Sequence, residues 1–161
     1  MGEHAVTNVR KELSQDHEDH ELLLEELARS LQAKRPAAEL RASWQEFEEN
    51  LFDHLETEER SLFSVAATAH GLEIEQLRAE HRQIRQAVFG MAVSIELNTL
   101  KAQAIDELRA QLRSHTEHEQ RSLHRWLAED QGVLALRGVL AMRSRRERSS
   151  PRLRAAAKVE E

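Results

Sequence analysis

The sequence predicts an all-α protein: an antiparallel four-helix up-down bundle followed by a short fifth helix and a basic C-terminal tail. Three observations carry that prediction. Two prolines and five glycines in 161 residues, beside abundant Leu, Ala, Glu, Arg and Gln, are the composition of a helix former. Four stretches repeat apolar residues at three- and four-residue spacing. Turn chemistry separates them at Pro36, His70-Gly71 and Asn98-Thr99. The bundle is expected over residues 1–131, and the fifth helix and tail over 132–161.

The first helix is expected from residue 8 or 14 to about 34, with Leu13, His17, His20, Leu24, Leu27 and Leu31 on its inward stripe. Pro36 suits the first turn of a second helix, because its fixed φ is already helical there. That helix aligns Trp44, Phe47, Leu51, His54, Glu58, Leu62 and Val65, and should stop where Gly71 can take a left-handed cap. The third carries Leu77, His81, Ile84, Val88, Met91 and Ile95. Thr99 is a candidate N-cap for the fourth, whose stripe is Ile105, Leu108, Leu112, His115, Glu119, Leu123 and Trp126.

The polar members of these stripes repeat at a constant offset. His20 recurs as His81 (81 − 20 = 61), His54 as His115 (115 − 54 = 61) and Glu58 as Glu119 (119 − 58 = 61). Residues equidistant from a tight turn lie level on antiparallel helices. His20 and His54 are centred on 37, His81 and His115 on 98, and Glu58 and His81 on 69.5, each at an expected turn. His54 lies one turn from Glu58 on the same face. All six side chains should therefore meet in one slab of the core, where an unpaired carboxylate or imidazole would cost several kcal/mol.

Four imidazoles and two carboxylates at matched positions are the donor set of a two-metal site. Nitrogen and oxygen without sulfur favour iron, manganese or zinc, and six donors exceed what one tetrahedral zinc takes. The chain has no cysteine, which removes thiolate and iron-sulfur sites. None of its nine histidines has Glu three residues before it, which excludes the paired ExxH plan of other carboxylate bundles. His17, one turn before His20, is expected at the rim of the site. Arg85 is expected to pair with nearby acids.

His20, the pair His54 and Glu58 in an HxxxE motif, His81, and the second HxxxE pair His115 and Glu119 resemble the hemerythrin-like, or HHE cation-binding, family across residues 8–130. The resemblance implies two non-haem irons, with manganese or zinc as substitutes, held between the histidines and bridged by Glu58 and Glu119. Oxygen carriers of that family have a second helix-3 histidine and HxxxxD on helix 4; here Leu77 and Arg85 flank His81, and Gln120 stands five after His115. The chain is thus similar to the four-histidine, two-glutamate branch. That likeness implies a protein that binds and reacts with a small oxidant (O2, hydrogen peroxide or nitric oxide) in oxidative or nitrosative stress or iron handling. The alternative is a non-catalytic metal sensor or iron reservoir that signals through its basic tail.

Charge is unevenly divided. Residues 1–136 hold 15 Lys/Arg against 26 Asp/Glu, or −11, whereas 137–161 hold 8 against 3, or +5. A body of −11 repels nucleic acid, so the expected partner is a diatomic or peroxide ligand rather than DNA or RNA. No segment has membrane-spanning length or a secretory h-region, and the expectation is a soluble cytoplasmic protein.

Overall fold

The computed structural model describes the backbone of residues 2–129 and the side chains of 11–126 apart from 124. The fifth helix and basic tail expected over 132–161 lie outside these residues. The described chain is all-α. Helix α1 is Gly2–Gln32 and α2 is Ala37–Glu58; a single π-helical turn, Glu59–Phe63, then leads into α3, Ser64–Glu96, and α4 is Ala102–Glu129.

The run from α2 through α3 is joined but not straight. His70 leaves helical geometry at φ −128° and ψ 34°. Glu58 and His81 are 23 residues apart, which a straight helix would stretch to about 35 Å. Their side chains lie 3.3 Å apart, so the run folds back on itself at His70 and its two arms pack antiparallel. The His70 ring stacks on Trp126 with centroids 5.3 Å apart, which ties this reversal to the end of α4. The reversal falls where the sequence places it, but by another device. Among the described residues no glycine has positive φ, and His70 rather than Gly71 breaks the helix.

The other two turns share one design. Lys34 (φ 52°) and Asn98 (φ 53°) take the left-handed conformation. The following amides reach back to the last helical turn, Arg35 N–H to Ser30 O at 3.0 Å and Thr99 N–H to Ser94 O at 2.8 Å. These are Schellman motifs, which satisfy carbonyls that a helix end would otherwise orphan. Thr99 therefore closes α3 rather than capping α4: its hydroxyl also donates to Ser94 O, at 3.3 Å. Pro36 likewise stands one residue outside its expected place, at the N-cap of α2 with an extended ψ of 144°, and its carbonyl accepts from Glu39 and Leu40. Helix α1 starts well before residue 8.

The core has two apolar halves. At the His70 end, Leu13, Leu62, Phe63, Ala66, Ile74, Leu77, Leu123 and Trp126 pack together. Toward Pro36 and Asn98 a larger group includes Leu24, Leu27, Phe47, Leu51, Leu55, Ile84, Val88 and Leu108. Between them lies a buried polar layer of Asp16, His20, His54, Glu58, His81, His115 and Glu119. The π turn begins directly after Glu58. Its extra residue turns the helix so that successive residues Leu62 and Phe63 both face the core.

Candidate metal centre

Five of the six residues singled out from sequence form two buried groups able to hold metal ions. His54, Glu58 and Glu119 stand with His17 in the first, and Glu58, His81 and His115 make the second. In each group, one ligand atom from every member lies within 4.8 Å of the others. Glu58 belongs to both. His20 is buried beside the first group with its ring 5.0 Å from that of His54 and edge-on to Phe47, but it lies outside both groups. His17, expected at the rim, instead stands 3.2 Å from Glu119 through Nε2, with its ring 5.0 Å from that of His54.

The imidazoles are oriented from behind. His81 Nδ1 donates to Glu59 at 2.8 Å, His115 Nδ1 to Glu80 at 2.8 Å and His54 Nδ1 to Asp16 at 3.2 Å. Glu59 also accepts from Arg85 Nη1 at 2.8 Å, and Glu80 from His118 Nδ1 at 2.6 Å. A carboxylate behind Nδ1 fixes the tautomer, turns Nε2 inward and raises its basicity, as at histidine-metal sites generally.

That arrangement creates a conflict which a cation resolves. With Nδ1–H committed to Glu59 and to Glu80, the neutral rings of His81 and His115 carry only lone pairs on Nε2, yet these two atoms lie 3.1 Å apart. A proton or a metal ion has to share them. Nearby, both oxygens of Glu58 and both of Glu119 are buried without a hydrogen-bond partner, as are both ring nitrogens of His17 and Nε2 of His54. His54 Nε2 is only 2.8 Å from Glu58, but the contact lacks hydrogen-bond geometry. Buried polar atoms are normally satisfied, at a cost of about 1–3 kcal/mol each when they are not. Seven such atoms around one layer, five of them in close contact between imidazole and carboxylate, are consistent with a bound cation.

Electrostatics within the layer agree. Burial opposes charge on His54, but Glu58 and Asp16 overcome it and push its pKa up to about 10. Burial likewise works against Glu58, whose carboxyl is nonetheless held well below the ordinary range by His54 and His81. His81 is raised against its own burial by Glu58 and Glu59. The hydrogen bond from His81, with Arg85 assisting against burial, lowers Glu59 to about 2. Protons therefore occupy the positive role that a metal would take.

The aligned stripes do not reveal Asp16, Glu59 and Glu80, because these acids lie beside the core stripe rather than in it. A faint signal exists for Glu80, since Asp19-His20 and Glu80-His81 are mates in the 61-residue repeat. Next to the layer, Leu24, Leu51, Leu55 and Ile84 pack in the apolar core, and Leu112, packed against that core, also lines a groove of about 580 Å3 between α1 and α4. No helix among the described residues is long and apolar enough to cross a membrane. Comparison with protein-family models, curated proteins and solved structures finds no match for this chain.

Proposed function

We propose that this chain is a hemerythrin-like, non-haem two-iron protein that binds and reacts with a small oxidant: O2, hydrogen peroxide or nitric oxide. Stress defence or iron handling is the corresponding role. In this reading the folded-back middle run supplies the second and third rods of a four-helix up-down bundle. The observation that carries the reading is the facing pair of Nε2 atoms, 3.1 Å apart, beside four buried carboxylate oxygens that accept no hydrogen bond.

Each residue has a task that follows from its surroundings. His81 and His115 present Nε2 because Glu59 and Glu80 hold Nδ1. His54 presents Nε2 because Asp16 holds its Nδ1, His17 meets Glu119 through Nε2, and Glu58, common to both groups, spans them. Mobile imidazoles would lose this convergence, so the three acids behind them position the donors. The apolar halves on either side keep bulk water from the layer and strengthen charge interactions within it. Bound iron would supply Lewis acidity and one-electron redox chemistry, which none of these side chains has.

The test is anaerobic loading with ferrous iron, elemental analysis and optical spectra upon adding O2, peroxide or NO. Two irons per chain and a spectral response to at least one oxidant are expected. One tightly held zinc, with no iron taken up by the metal-free protein, would refute the proposal.

A further inference from the structure

The buried centre needs a way in, and one of its members, His17, lines a surface groove. His54, Glu58, His81, His115 and Glu119 are buried, whereas the His17 side chain is 12 % exposed. His17 lines the α1–α4 groove together with Ser14, Glu18, Glu21, Thr116 and Glu117. The His17 side chain therefore stands between the groove and Glu119, with both ring nitrogens buried and neither engaged in a hydrogen bond.

Size and charge identify what the groove accepts. A hexaaqua cation, taken as roughly seven water volumes of about 30 Å3, needs about 200 Å3. The groove offers about 580 Å3, so an ion can approach with its water shell intact. Glu18, Glu21 and Glu117 along the walls outnumber Arg113 and the adjoining Arg109, three carboxylates against two guanidiniums. Glu21 is held ionised by Arg109 and Arg113 against partial burial, which also fastens α4 to α1 at this edge. A negative groove concentrates cations and repels anions such as superoxide. Below the floor stand the His17 imidazole and, behind it, the Glu119 carboxylate, donors that can replace the lost waters.

We propose that the α1–α4 groove is the path by which hydrated divalent cations reach the centre, with His17 handing them from the groove to Glu119. This rests on the two-metal reading above, and the test separates the two. Stopped-flow uptake of cobalt(II) by metal-free protein gives a rate, and titration gives the final stoichiometry. Thr116→Trp and Ser14→Trp block the groove from opposite walls and should each slow uptake by about tenfold or more, with stoichiometry unchanged. Thr68→Trp, placed on another surface beside the His70 reversal, should leave the rate alone. The pair Glu18→Gln and Glu117→Gln should slow uptake at low salt and flatten its dependence on ionic strength. Unaltered rates in both groove-blocking variants, with full stoichiometry, would overturn the path alone. No cobalt uptake by the unaltered chain would overturn the two-metal reading and the path with it.

Discussion

Raising the pH should strengthen metal binding well above the range in which an ordinary histidine titrates. A ligating imidazole must be neutral, so the proton on His54 has to leave when a metal binds. An unperturbed histidine, with a pKa of about 6.5, is already mostly neutral at pH 7. His54 is not, because Glu58 and Asp16 raise it to about 10 despite burial. Between pH 7 and that value lie about three units, each about 1.4 kcal/mol, so this one proton weakens binding at pH 7 by about 4 kcal/mol, roughly a thousandfold. His81, raised in the same direction, adds to the slope over part of the range. Apparent affinity should thus climb about tenfold per pH unit and level off near pH 10. The metal-free fold behaves in the opposite sense. His54 has a folded pKa above its unfolded one, so its charge stabilises the fold in full below about pH 6.5, and that contribution disappears as pH rises toward about 10. Calorimetric titration of cobalt(II) at pH 8, in two buffers of different ionisation enthalpy, counts the protons released, and thermal melts of the metal-free chain follow the second effect. Asp16→Asn removes one of the two charges behind the shift and should bring the plateau to lower pH. An affinity that is flat from pH 7 to 10, with no proton released at pH 8, would refute the reasoning.

Two further outcomes follow from the grouping of the ligands. Glu58→Ala should reduce occupancy at both positions, because Glu58 belongs to both groups, while Glu119→Ala should spare the position at His81 and His115; metal analysis of the two purified variants checks this, and equal losses would remove the distinction. His17→Ala should lower metal content more than His20→Ala does, since His17 stands in the first group and His20 beside it, and a reversed order would restore the arrangement expected from the sequence.

The broad plan was legible because helical periodicity is a strong signal when polar residues interrupt it at fixed places. Leucine stripes with His and Glu at matched heights locate the polar layer; all six nominated side chains are buried there, and five of them fall within the two candidate metal groups. What periodicity does not encode is rotation within a turn. His17 and His20 are three residues apart and share a helix face, so spacing alone does not decide which of them reaches toward Glu119. The π turn after Glu58 is another rotation of this kind: it brings Glu59 behind His81, while no breaker in Glu59–Phe63 announces it. Turn residues were read at the right places with the wrong roles. Gly71 was the natural left-handed candidate, yet Lys34 and Asn98 adopt that conformation, because Schellman hydrogen bonding repays its cost at either residue.

The 61-residue repeat suggests two equivalent half-sites, but its departures fall on residues that make the halves differ. The mate of His17 is Arg78 (17 + 61 = 78), whose guanidinium lies over the Phe63 ring at 5.8 Å rather than in the polar layer. Asp16 corresponds to Leu77 (16 + 61 = 77), a buried member of the apolar half. Glu59, which holds His81, corresponds to Gln120 (59 + 61 = 120), which lines the groove. One group thus gains an extra imidazole and an opening to solvent, and the other gains carboxylates behind both rings and is closed over. The half-sites share Glu58, so a change at the accessible group is felt electrostatically at the enclosed one. The 61-residue spacing matches the donors His54, Glu58, His81, His115 and Glu119, and the positions that depart from it are those where the two groups differ in access.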